Sequence, residues 1–253
     1  MVPHGLIPGK VVRRIDWTPS QFSIAVRADI DPFVAGQFTK LALQNEHGDW
    51  VRRAYSIVTP PTEYSLTGDL EFLIVAASQG ELSPKLHQLQ SGDSVWVAKQ
   101  PAGFMTIEEV PEYTKQLWLV SSGTAIGPYL SILMAPLLSF EKIVLVHAVR
   151  EKRDLVYRAQ IETLLQRYSG RLNYVPIVSR ESVSGTLSGR IPALLRDGSL
   201  ENTAAVSLNP EKSFVYLCGN PAMVKESVQA LKEKGLNKHL RRKPGHFSSE
   251  NYW

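Results

Sequence analysis

Several short stretches of this chain hold residue types suited to binding phosphate and flat rings. Arg53-Ala54-Tyr55-Ser56 has strand character, so Arg53 and Tyr55 share one face while Ala54 and Ser56 take the other. A guanidinium fork beside an aromatic ring can hold a phosphate and stack a ring; the plainer reading is a surface strand with a half-buried tyrosine. Gly80-Glu81-Leu82-Ser83 leads into a helical stretch at 84–89, and its amides suit a second anion, or form a plain N-cap. From Leu117 to Leu133 a strand-like run enters Ser122-Gly123-Thr124-Ala125-Ile126-Gly127-Pro128 and continues as an apolar helical segment. Such a turn offers amides and a helix N-terminus to a pyrophosphate, with Gly123 and Gly127 allowing close backbone approach. Its spacing is G-x-x-x-G-P rather than G-x-G-x-x-G, and an ordinary βα turn shares it.

Arg150 follows a strand at 143–147, Arg180 follows one at 172–178, and Arg190 opens a helical segment. Ligands of doubly wound sheets lie beyond the carboxyl ends of strands, where a ribose diol meets Asp or Glu and a 2′-phosphate meets arginine. Glu151 and Glu181 adjoin the first two, so pairing at the surface is the competing reading. Val215 to Pro221 is a further strand, turn and helix unit. Cys218 ends that strand on the ligand side; an inert buried thiol is its plainest role, since no histidine and carboxylate arrangement surrounds it. The six histidines show no metal-ligand spacing, so no metal is expected, and His147 reads as structural. Lys232 to Lys243 holds six Lys or Arg against one acid, Glu233: a solvated helix end, or a docking face for a small acidic protein. The terminal Trp253 is expected to pack on the fold or on a flat cofactor.

These residues need scaffolds of two kinds. Residues 10–110 are β-rich, with strands at 11–16, 21–28, 37–43, 53–58, 70–76 and 94–99, turn signals between them, Pro60-Pro61 included, and one helical piece at 83–89. That spacing suggests a small six-stranded antiparallel barrel. Beyond Pro111, strands at 117–120, 143–147, 172–178 and 214–217 alternate with helices at 128–138, 154–168, 190–196 and 221–234, the pattern of a doubly wound parallel α/β nucleotide-binding domain. The boundary near 105–115 gives domains 1–110 and 111–253, and 197–212 reads as a long loop. The net charge of +4 is too small to imply nucleic acid. A single cysteine excludes an internal disulfide, a four-thiolate zinc site and a cluster held by this chain, so redox chemistry requires an organic cofactor. No leader pattern and no apolar run of about 18 residues is present, so no membrane contact and a cytoplasmic location are expected. Nothing demands an oligomer, and a monomer is expected.

Taken together, Arg53-Ala54-Tyr55-Ser56, Gly80-Glu81-Leu82-Ser83-Pro84, Gly123-Thr124-Ala125-Ile126-Gly127-Pro128-Tyr129 and Leu217-Cys218-Gly219-Asn220-Pro221 resemble the bacterial ferredoxin/flavodoxin–NADP⁺ reductases of the ferredoxin reductase-like flavoproteins. The resemblance covers nearly the whole chain. The run from Lys238-His239-Leu240-Arg241-Arg242 to Tyr252-Trp253 is closer still to the single-chain subtype with an aromatic terminus. This resemblance implies FAD on residues 1–110 and NADP(H) on 111–253. It implies that Arg53 holds the FAD pyrophosphate, Tyr55 stacks on the isoalloxazine and Ser56 hydrogen-bonds near flavin N5, with Ala54 in the same motif. Leu82 and Ser83 would add amides, and Thr124, between Gly123 and Gly127, would lie beside the nicotinamide. Arg150, Arg180 and Arg190 would read the 2′-phosphate, Trp253 would cover part of the FAD, and Glu250 would lie near the nicotinamide pocket. Tyr55, Ser56, Cys218 and Glu250 are then the residues expected at the reaction centre; the Arg52-Arg53 doublet receives no role.

The implied activity is hydride transfer between NADPH and FAD, followed by single-electron transfer to a ferredoxin or flavodoxin. A flavin or quinone reductase of the same fold is one alternative. A nucleotide-binding regulatory module without turnover is another.

Overall fold

The computed structural model describes residues 2–240 and 242–252, which form two compact units. One comprises the chain up to Ile107 together with Gly127–Ala135; the other comprises Glu108–Ile126 and the residues from Pro136 onward.

In the first unit, β1 (Leu6–Asp16), β2 (Gln21–Arg27), β3 (Phe38–Gln44), β4 (Trp50–Ser56), β5 (Asp69–Val75) and β6 (Ser94–Ala98) build one antiparallel sheet ordered β4-β3-β6-β1-β2-β5. Two short helices interrupt it, α1 (Pro61–Thr67) and α2 (Ser83–Gln88). The ends of the sheet meet where Val58 N donates to the Glu71 carbonyl at 2.8 Å and Glu71 N donates to Thr59 Oγ1 at 2.8 Å, which closes the barrel. Alternate side chains point inward, and Val11, Phe22, Ile24, Leu41, Leu70, Phe72, Val95 and Val97 fill the interior. The helix α3 (Ile126–Met134) falls almost entirely in this unit, where buried Ser131 Oγ donates to the Thr59 carbonyl at 3.1 Å.

The second unit holds β7 (Gln116–Ser122), β8 (Lys142–Val149), α4 (Arg158–Tyr168), β9 (Leu172–Val178), β10 (Leu187–Ser188), α5 (Ile191–Arg196), α6 (Ser199–Ala204), β11 (Ser213–Gly219), α7 (Pro221–Glu233) and β12 (Phe247–Asn251). Its sheet is wholly parallel, in the order β10-β9-β8-β7-β11-β12. Strands covered on both faces read as continuous apolar runs, and β11 is buried along its full length. The chain proceeds from β7 outward to β10, then returns to lay β11 on the other side of β7. The order therefore reverses between β7 and β11, the place where open α/β sheets bind ligands.

Several elements differ from the sequence-based expectation. Pro60-Pro61 is not merely a turn: Pro61 sits at the start of α1, where its fixed φ and missing N–H are no handicap. The expected loop at 197–212 contains α6, held by buried Leu200 and Ala204 four residues apart. The helix expected at 128–138 ends at Met134, and the one expected at 154–168 begins as a 3₁₀ turn before α4. Two of the six parallel strands, β10 and β12, were not anticipated.

Candidate functional site

In the first unit β4 sends Val51 into the core, and two residues along the same face Arg53 is 57% exposed. Arg53 Nη2 reaches Glu81 Oε2 at 2.7 Å, so the 53–56 and 80–83 stretches, read separately in the sequence, come together. Both partners are exposed, and such a pair contributes only about 0–1 kcal/mol, which leaves the guanidinium open to a stronger anion. Tyr55 packs partly against the barrel core, and burial pushes its phenol up to about 12 against the opposing charge of Arg53. The ring is therefore neutral across the physiological range. Ala54 is exposed on the opposite face, in register with Lys40, and Ser56 ends the strand opposite Phe38. Leu82 is buried at the head of α2, and Ser83 Oγ accepts from Ala77 N at 3.1 Å, which fixes the 77–83 turn.

At the switch point of the second unit, Gly123 has φ +60° and nothing within 4 Å of where a Cβ would be. Thr124 and Ala125 are buried in the 3₁₀ turn that follows. Gly127 belongs to the first unit, where a Cβ would sit 3.1 Å from Val58 Cγ2, so its lack of a side chain serves packing there. Across the switch point, Asn220 N donates to Ser122 Oγ at 3.0 Å, and Asn220 Oδ1 caps α7 by accepting from Ala222 N and Met223 N. Gly219 has φ +138°, and a Cβ there would lie 2.1 Å from Ser122 Oγ.

Cys218 is fully buried in β11, in register with Ser121 on β7 and with Glu250 on β12. Burial pushes its thiol well above the usual range; the Glu250 carboxylate adds to this and a hydrogen bond with Tyr252 opposes it. It stands as a protonated thiol, not a nucleophile. His147 on β8 is equally buried. Desolvation lowers its pKa to about 4, only partly offset by the Gly123 backbone. Its Nδ1 lies 3.5 Å from Tyr174 Oη, while Nε2 has no hydrogen-bond partner of good geometry among the described residues.

Arg150, Arg180 and Arg190 are all exposed, and Arg180 N donates to the Arg150 carbonyl at 2.9 Å, lacing together the loops after β8 and β9. Surface pairing with the adjacent acids does not occur. Glu151 pairs with Arg153 at 2.8 Å, and Glu181 accepts from Lys152 N. Among the described residues none of the three guanidiniums makes an ion pair. Trp253 lies outside the described residues. Sequence reasoning missed Ser122 and the placement of Glu250 by β12; neither carries a local periodic signal. Among the described residues no group of His, Cys, Asp and Glu could hold a metal ion, and no helix is long and apolar enough to cross a membrane.

Comparison with known proteins identifies the two domains and the family. Residues 13–106 match the oxidoreductase FAD-binding domain and residues 119–229 the oxidoreductase NAD-binding domain. The class is thus that of oxidoreductases carrying one domain of each kind. Over 98% of both chains, the protein is 48% identical to the flavodoxin/ferredoxin–NADP reductase of Escherichia coli (strain K12). It is 34% identical to the ferredoxin–NADP reductase of Azotobacter vinelandii, over 87% of this chain and 86% of that one. The crystal structure of a ferredoxin NADP⁺ reductase from Neisseria gonorrhoeae with bound FAD and NADP matches with a TM-score of 0.90 at 31% identity, covering 98% of this chain and 99% of that one. The chain belongs to the flavodoxin/ferredoxin–NADP reductase family.

Proposed function

We propose that this protein is an FAD-dependent reductase working between NADP(H) and a ferredoxin or flavodoxin, with FAD held by residues 1–110 and NADP(H) by residues 111–253. Bound FAD supplies the redox chemistry, exchanging a hydride with NADP(H) and single electrons with the protein partner. The chain supplies binding and orientation. Arg53 leaves Glu81 to grip the pyrophosphate, with the Leu82 and Ser83 amides beside it. Tyr55 offers a neutral ring for stacking, and Ser56 a hydroxyl at the flavin edge. The Gly123 turn leaves room beside Thr124 for the nicotinamide, with Cys218 and Glu250 at the end of the same sheet. No acid–base side chain is required for hydride transfer, in keeping with a Cys218 that stays protonated.

The observation that carries the choice of NADP(H) is the trio Arg150, Arg180 and Arg190, three exposed guanidiniums whose neighbouring carboxylates are engaged elsewhere. An acidic redox partner fits the net charge of +4 and the basic run from Lys232 to Lys243. The protein works as a monomer in the cytoplasm.

Anaerobic titration of the purified protein tests this reading. Flavin absorption bands are expected to bleach rapidly with NADPH and slowly with NADH. In R150Q/R180Q the preference for NADPH should fall by about a hundredfold or more, each lost charge-assisted contact being worth on the order of 1.5–3 kcal/mol. A wild-type protein that bleaches equally with both would overturn the arginine assignment, and one that neither contains nor takes up FAD would overturn the whole.

A further inference from the structure

The Arg52-Arg53 doublet opens onto two faces of β4, and only one of them belongs to the site above. Arg53 turns toward Glu81, whereas Arg52 turns to the other side. There a cavity of about 510 Å³ is bounded by the start of β1, by Phe38–Lys40 of β3 and by the 98–102 turn after β6. Leu6 and Phe38 contribute apolar lining, while His4, Lys40, Arg52 and Lys99 supply cationic or titratable groups, and no carboxylate lines it. Lys99 lies 3.7 Å from Asp31, a loose contact with both partners substantially exposed. Lys40 and Arg52 make no ion pair with any described residue. Surface cations normally stand near carboxylates; here they converge on a concavity whose size lies within the range of small-molecule sites, roughly 300–1,000 Å³. A cleft lined by one sign of charge concentrates the opposite ion.

We propose that this pocket binds a small polyanion of metabolite size, one bearing two or more phosphate or carboxylate groups, on the face of β4 opposite Arg53 and Tyr55. Lys40 and Arg52 make the principal charged contacts, Lys99 shares itself between the ligand and Asp31, and Phe38 and Leu6 cover the ligand's uncharged body. The site is independent of the nucleotide assignments.

Isothermal titration of the FAD-loaded protein with inorganic pyrophosphate, and separately with citrate, tests it. The R150Q/R180Q background removes two of the three proposed 2′-phosphate contacts. One binding site is expected to persist in that background and to weaken about a hundredfold when K40Q and R52Q are added, each lost charged contact costing about tenfold. Affinity should also fall as salt rises. In the K40Q/R52Q protein, turnover with NADPH and the melting temperature should stay as in the wild type. If that variant fails to fold, R52Q alone should weaken binding about tenfold. Binding of pyrophosphate alone identifies a phosphate ligand, and binding of citrate alone a carboxylate ligand. Absence of binding by both probes would overturn the proposal, as would binding that R150Q/R180Q abolishes or that K40Q/R52Q leaves intact.

Discussion

The two units differ in what holds the residues of their candidate sites. In the antiparallel unit the candidate site is made of side chains: Arg53 and Tyr55 project from β4, a strand at the end of the sheet order whose middle residues are exposed. In the parallel unit β7 and β11 are buried, and the turns at the switch point are shaped by backbone, with Gly123 and Gly219 in left-handed conformations where the strands end, while the candidate side chains Arg150, Arg180 and Arg190 stand exposed outside the strands. Side chains on an exposed strand can change without disturbing the fold. Backbone turns joined to buried strands cannot, because their shape and the packing beneath them are one structure.

The sharpest test of this contrast is a pair of glycine substitutions. In Gly219→Ala the new Cβ meets Ser122 Oγ at 2.1 Å and the Ser122 carbonyl oxygen at 2.9 Å, on a backbone with φ +138°. Overpacking and strain together should cost about 4 kcal/mol, visible as a lower midpoint in denaturant. Gly123→Ala meets open space and should lose only about 1–2 kcal/mol from its left-handed backbone. Equal losses at the two positions would break the distinction.

A pH titration sharpens it next. His147 in the parallel unit has a folded-state pKa of about 4 against an ordinary 6.5. Because the unfolded chain takes up the proton first, stability is full above pH 6.5 and is lost as pH falls toward 4, by about 3 kcal/mol. Denaturant midpoints from pH 7 to pH 4 should show this slope, and His147→Gln should flatten it. In the barrel, the exposed Arg53 predicts the smallest change. Arg53→Ala should alter stability by less than about 1 kcal/mol while raising the dissociation constant for FAD about tenfold or more, measured by flavin release on dilution. A large drop in melting temperature would show that side chain to be structural.

Much of the scaffold is legible in the sequence, for identifiable reasons. Apolar runs such as Leu117–Val120 announce strands buried on both faces, and Asn220-Pro221 announces a capped helix. What escapes notice depends on distant partners. Ser248, Ser249, Glu250 and Asn251 have little intrinsic strand preference, and β12 exists because β11 offers an open edge to pair with. The Arg53–Glu81 contact and the Ser122–Asn220 hydrogen bond join residues 28 and 98 positions apart, separations that leave no trace in local periodicity. The motif residues can therefore be named from sequence, whereas the contacts that hold them in place cannot.

The grouping of α3 with the barrel bears on inheritance. The chain passes between the units at 107/108, at 126/127 and again at 135/136, so neither unit is a continuous cassette. A single recombination event near residue 110 would join one parent's barrel to another parent's α3. The foreign helix would have to place its counterpart of Gly127 against Val58 and its counterpart of Ser131 under the Thr59 carbonyl. Hybrid genes should survive such an exchange only where those few contacts match, which ties the histories of the two halves together.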